Sequence, residues 1–101
     1  MSIKGWTKMK NYQWRHDNFG INNKLNVFLS TEDGDWSEKH ASNHQGPTKH
    51  GYVVLYTDND RLVNDDVAKS YILSHHNTLK DASAFATNWM RNNETSVDIN
   101  E

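Results

Sequence analysis

Leu79 to Asn92 reads LKDASAFATNWMRN, and its apolar residues recur at intervals of three and four positions. This spacing gathers them into one stripe of an α-helix, which is typical of a helix packed on one side against a core. Thr78 is a suitable N-cap, and Asp81 suits the positive end of the helix dipole. The sequence therefore predicts one amphipathic helix, and its stripe consists of Leu79, Ala82, Phe85, Ala86, Trp89 and Met90.

The segments before this helix predict strands. The clearest runs from Gly51 to Thr57 and is nearly all β-branched or aromatic. Alternation of residue types predicts further strands over 12–17, 24–30 and 67–75, with a turn at Asp58 to Asp60. A sheet with one apolar face needs a cover, and the helix can supply it. We therefore expect an α+β fold: an antiparallel sheet of three to four strands covered on one face by a single C-terminal α-helix.

The length of 101 residues indicates a single domain spanning residues 1–101. Only 35% of the residues are apolar, but four Trp, four Tyr and three Phe argue against a disordered chain. We expect a loosely ordered basic N-terminus over 1–10 and a frayed polar tail over 94–101. Residues 31–49 show no clear period and predict a long loop, a feature that is usually functional or disordered.

Several function classes find no support in the sequence. The absence of Cys excludes disulfides, thiolate metal sites and cysteine nucleophiles. There is no long apolar run and no secretory leader, so we expect a cytoplasmic protein without a membrane span. Nucleotide-binding glycine motifs and the G-x-S-x-G elbow are also missing. The sequence therefore predicts a non-catalytic binding protein that needs no cofactor.

Charge and aromatic residues suggest a partner. Residues 1–16 hold four basic residues and no acid, whereas the remaining residues hold seven basic residues and thirteen acids. Aromatic rings beside a cationic track are typical of proteins that bind single-stranded nucleic acid. The predicted nucleic-acid-binding residues are Lys4, Trp6, Lys8, Lys10, Tyr12, Trp14 and Arg15.

Two alternatives remain open for this segment. In the first, Tyr12 and Trp14 belong to the core, and Trp6 anchors the N-terminus. In the second, the protein is a protein-interaction module or a homodimer that uses the sheet face left open by the helix. Phe28 and some of Tyr52, Val54 and Tyr56 would then emerge there. The residues on both faces of the 52–56 strand are apolar, so their periodicity does not decide which face is buried.

Histidines in and beside the predicted loop raise a metal hypothesis. His40 and His44 are four residues apart, and His50 follows soon after, so these three are the weak candidates for metal ligands. The alternative is that they are solvated loop side chains, because Gly46 and Pro47 disfavour a helix there. We favour this alternative and predict no metal site.

Trp6, Trp14, the Tyr52 to Leu55 strand and the Ala82 to Arg91 helix together form a recognisable pattern. In these core positions the chain resembles a group of small uncharacterised archaeal proteins that are abundant in haloarchaea. The resemblance covers about half the chain and implies a small β-sheet closed by a C-terminal helix. It carries over no catalytic or binding residue. The chain departs from the group in its net charge of -2, because a haloarchaeal protein would be strongly acidic.

Overall fold

A computed structural model describes residues 3–17, 23–43, 49–58 and 69–94. Within these ranges the chain forms six strands, a short 3-10 helix and one α-helix. In chain order these are β1 Trp6–Lys10, β2 Gln13–His16, β3 Lys24–Ser30, β4 Trp36–His40, the 3-10 helix Ala41–Asn43, β5 Tyr52–Asp58, β6 Lys69–His76 and α1 Leu79–Arg91.

The strands form one antiparallel sheet in the order β1-β2-β3-β5-β6, and β4 also pairs with β3. Strand β3 is the centre of this arrangement, because β5 pairs with it from Lys24 to Leu29 on one side. On its other side, β2 pairs with the first half of β3 and β4 with the second half. The predicted α+β class with a C-terminal helix is confirmed, whereas the predicted number of three to four strands is too low.

The two strands missing from the prediction each bury a single side chain. Strand β1 buries Trp6 and exposes its other four residues, and β4 buries only His40. A strand is recognised from alternation, and one buried residue creates none. The loosely ordered segment predicted over 1–10 therefore contains β1, and the long loop predicted over 31–49 contains β4. Residues 44–48, 59–68 and 95–101 lie outside the described residues, as do most of the predicted turn and tail.

Other predicted boundaries agree closely with the structure. Strand β3 has the predicted ends, and α1 ends one residue early, at Arg91, with Asn92 as its C-cap. The Thr78 hydroxyl accepts a hydrogen bond from the Asp81 backbone N–H at 3.2 Å. This bond satisfies one of the amide groups that have no partner inside the first turn of a helix.

Helix α1 packs against β3, β5 and β6, with Ala82, Ala86 and Met90 completely buried. The two small alanines lie four residues apart, so the helix backbone can approach the sheet closely. Leu79, Phe85 and Trp89 are half-buried and pack around this centre. The sheet residues of this core include Trp6, Trp14, Leu25, Val27, Leu29, Tyr52, Val54 and Tyr56.

Strand β5 is buried on both sides, which corrects one expectation. Tyr52, Val54 and Tyr56 all face the helix, so none of them emerges on the opposite side. Val53 and Leu55 point to that opposite side by alternation, and they too are fully buried. The side chains that remain accessible on the side away from α1 therefore lie on β1, β2, β3 and β4, and at Ile72 and His75 of β6.

Candidate functional site

The basic N-terminal segment separates into exposed cations and buried rings. Lys4, Lys8 and Lys10 are exposed. Trp6 is only 3% exposed, and Trp14 also lies in the core. A base stacks only on an open ring face, so these two tryptophans are wrong as stacking residues. The alternative that Trp14 belongs to the core and Trp6 anchors the N-terminus is confirmed.

Trp6 has a structural function at the end of α1. Its indole Nε1–H donates to the backbone oxygens of Met90 at 3.1 Å and Asn93 at 3.3 Å. The His16 ring Nε2 lies 3.2 Å from the same Asn93 oxygen, and the two rings meet edge to face at 4.6 Å. The last carbonyls of a helix have no partner inside it. Trp6 supplies such a partner to Met90 from the other end of the chain, and Trp6 and His16 both contact the Asn93 oxygen just beyond the helix.

Tyr12 occupies the turn between β1 and β2 in a left-handed conformation, with φ of 63°. Its backbone oxygen accepts from the Val27 N–H at 3.0 Å and contacts His40 Nε2 at 2.9 Å. The Tyr12 ring is half-buried beside the exposed flank of α1. The turn is thus fixed by its carbonyl, and Tyr12 is not an isolated surface ring.

His40 is neutral and has both ring nitrogens occupied. A carbonyl only accepts, so Nε2 carries the proton toward Tyr12, and the Ser42 backbone N–H donates to Nδ1 at 3.0 Å. Burial and the nearby Lys10 ammonium lower the pKa of His40 below its ordinary value of 6.5, and the bond to Tyr12 opposes them. His40 therefore has no free nitrogen for a metal.

The other two weak candidates for metal ligands are His44 and His50. His44 lies outside the described residues, and His50 is exposed in a different place. His50 lines an open cleft of about 400 Å³ together with His75 and the Thr31 to Asp35 turn. Across the described ranges, no three His, Asp or Glu side chains are placed so that they could hold a metal ion.

The sheet surface turned away from α1 on β1, β2, β3 and β4 brings a different set of side chains together. We call it the outer face, and it comprises Lys10, Gln13, Arg15, Lys24, Asn26, Phe28 and Trp36. Register places these residues on one side. Gln13 pairs with Asn26 and Arg15 with Lys24, and Lys10 is the partner of Gln13 on β1. Phe28 lies two residues beyond Asn26 on the same side of β3.

An aromatic pair lies at one end of the outer face. The rings of Phe28 and Trp36 are 5.2 Å apart at 51°, and the His40 ring meets Phe28 edge to face at 5.3 Å. Trp36 remains 38% exposed, and Phe28 is half-buried. This pair leaves open aromatic surface that Trp6 and Trp14 do not offer.

Charge is polarised along the same face. From Lys10 to Lys24 the outer face carries three cations, whereas Lys4 lies in the turn before β1 and Lys8 is the cross-strand partner of the buried Trp14. Among the described residues near these cations, Asp17 is acidic, and its carboxylate accepts a hydrogen bond from the Thr7 hydroxyl. Acidic residues gather beyond the aromatic pair, in the turn before β4 and on β4 itself, at Glu32, Asp33, Asp35 and Glu38.

Of the residues predicted for nucleic-acid binding, Lys10 and Arg15 lie on the outer face, whereas the rings of Trp6 and Trp14 lie in the core. Trp36 lay in a segment without a period, and only its pairing with Ser30 brings it to Phe28. Lys24 and Asn26 were visible as outward positions of a strand. Their grouping with β2 follows from register, which a single sequence does not contain.

No protein-family model, curated protein or solved structure matches this chain. The likeness to haloarchaeal-type proteins therefore stays a prediction, and functional argument depends on the residues of the outer face. Helix α1 is too short and too polar to cross a lipid bilayer, and no other helix in the described ranges is long and apolar enough to do so.

Proposed function

We propose that this protein binds single-stranded nucleic acid, without catalysis, on the outer face. The observation that supports the proposal is the presence of three cations and an exposed aromatic pair on one side of the sheet. Lys10, Arg15 and Lys24 supply the charge, and Phe28 and Trp36 supply the rings.

The cations suit a phosphate backbone. Arg15 and Lys24 are cross-strand partners, and Lys10 is displaced from them toward the aromatic pair. Lys24 and Phe28 are four residues apart along β3, which is about 13 Å in an extended strand. A nucleic-acid strand that runs along the outer face from Lys24 to Phe28 would contact cations at one end and aromatic rings at the other.

The aromatic pair favours unpaired bases. Bases inside a duplex are stacked on their neighbours, whereas a single strand can place a base on a protein ring. Each base stacked on an aromatic side chain contributes about 1–3 kcal/mol. Trp36 is the exposed ring, and Phe28 supports it from β3.

The test measures fluorescence anisotropy of a short labelled single strand, DNA and RNA in turn, at several salt concentrations. Wild type is compared with the triple variant Lys10→Gln/Arg15→Gln/Lys24→Gln. The matched control is Lys49→Gln/Lys80→Gln/Arg91→Gln, which removes three exposed cations that lie off the outer face. Each phosphate contact on a single strand contributes about 0.7 to the slope of log affinity against log salt. The outer-face variant should therefore lower that slope by about 2, and the control should not.

A protein partner or a second copy of the chain is the competing occupant. Exposed Met9, Trp36 and Ile72 favour contact with protein, but they lie on three different strands. Light scattering after size exclusion measures the mass at low and high salt. A dimer that persists in high salt, with no oligonucleotide binding by wild type, would overturn the proposed function in favour of self-association.

A further inference from the structure

Two side-chain amides meet at the centre of the outer face. Gln13 on β2 and Asn26 on β3 are cross-strand partners, and Gln13 Nε2 donates to Asn26 Oδ1 at 2.7 Å. Phe28 follows Asn26 at a distance of two residues on the same side of β3, which is about 7 Å along the strand. The amide pair therefore lies beside the aromatic pair.

Asn26 is buried but only half satisfied. It is 4% exposed, yet within the described part of the chain its side chain makes one hydrogen bond, and Nδ2 donates to nothing. Buried polar groups in native proteins are nearly always paired, and the exceptions call for an explanation such as a bound ligand. The cross-strand neighbour of Asn26 on β5 is the buried Leu55, whose side chain has no hydrogen-bond acceptor.

The pair leaves one donor and one acceptor side by side. These are Asn26 Nδ2 and Gln13 Oε1. Turning both amides over exchanges the two groups and again leaves one donor and one acceptor. The hydrogen-bonding edges of nucleobases also carry adjacent donors and acceptors, and amide side chains are well suited to contact them.

We infer that the Gln13–Asn26 amide pair contacts the hydrogen-bonding edge of a base whose ring stacks on Trp36. This inference rests on the proposed function and adds base selectivity to it. The cations hold any single strand, the aromatic pair accepts any base, and the amides distinguish one base edge from another.

The experiment compares affinities for four homo-oligonucleotides of equal length, one for each base, and for an abasic strand of the same charge. We expect wild type to discriminate about tenfold between the best and the worst base. Asn26→Leu keeps the side-chain volume but removes the amide, and discrimination should fall below about twofold with the salt slope unchanged. Asn88→Leu, at an exposed position of α1, is the matched control and should retain wild-type discrimination.

Gln13→Met is the second variant, because Gln13 is half-buried and its replacement puts less demand on folding. It should lose discrimination as Asn26→Leu does. Salt-dependent binding with equal affinity for all four bases would overturn the amide inference and leave the proposed function standing. Binding to none of the strands would overturn both.

Discussion

Two buried asparagines on opposite sides of the sheet differ in their hydrogen bonding. On the helix side, Trp6 donates to the Met90 oxygen of α1, His16 contacts the Asn93 oxygen just beyond α1, and Asn23 donates to the Tyr56 hydroxyl at 3.1 Å. On the outer face, Asn26 is buried to the same degree as Asn23, but its Nδ2 makes no hydrogen bond within the described residues.

The tryptophans show the same contrast. Trp6 is enclosed among His16, Tyr56 and Trp89, whereas Trp36 contacts Phe28 and remains open on its other side. Complete pairing and enclosure favour stability, and an open ring beside an unpaired donor favours contact with a ligand. The helix side therefore maintains the fold, and the outer face is the side on which we propose that binding occurs.

The largest expected effect concerns the two tryptophans. Trp6→Ala should reduce the free energy of unfolding by about 3–5 kcal/mol, because it empties a core position and removes the indole donor from the end of α1. Trp36→Ala should cost about 1 kcal/mol or less. Urea denaturation followed by circular dichroism measures both. Equal losses would contradict the conclusion that the helix side maintains the fold.

A smaller effect separates two glycines that share a left-handed backbone. Gly5 has φ of 85°, and an added Cβ would lie 2.1 Å from the backbone oxygen of Glu94. Gly34 has φ of 86°, but its nearest neighbour would be His75 Nε2 at 3.9 Å. Gly34→Ala should therefore cost about 1 kcal/mol from backbone strain alone. Gly5→Ala should cost about 2–4 kcal/mol, because it adds a clash with the backbone after α1.

Thermal melts of the two alanine variants measure this difference. Gly5→Ser serves as a second variant with the same clash. If the Gly5 and Gly34 variants have the same melting temperature, the close approach between the N-terminal turn and the end of α1 does not stabilise the helix side.

The helix side was more predictable from sequence than the outer face, for a physical reason. The stripe from Leu79 to Met90 repeats with the helical period, so α1 and its buried positions follow from local spacing. The outer face joins residues from β2, β3 and β4 through register. Phe28 meets Trp36 only because β4 returns along β3 with two extra residues, and no local pattern reveals such an irregular pairing.

The buried Asn23 and Asn26 provide the next test. Asn23→Leu should cost about 1–2 kcal/mol, because it removes the hydrogen bond to the Tyr56 hydroxyl from a buried position. Asn26→Leu should change stability by less than about 0.5 kcal/mol or raise it slightly, because it removes an unpaired buried donor along with one bond to Gln13. Denaturation midpoints measure both. A large loss in the Asn26 variant would contradict the view that this amide is retained for binding.

The smallest expected effect is a change in how stability depends on pH. The pKa of His40 is lowered in the folded protein, mainly by burial and also by Lys10, so folding favours its neutral form. Below the ordinary value of 6.5 the unfolded chain takes up the proton first. The contribution of His40 to stability is therefore fully present above that pH and is lost as the pH falls toward the folded pKa.

His40→Gln retains an N–H for the Tyr12 oxygen but does not titrate, so its melting temperature should fall less than that of wild type on acidification. His75→Gln, at an exposed histidine, is the control and should follow wild type. If the two variants respond alike, the lowered pKa of His40 does not contribute to the acid sensitivity of the fold.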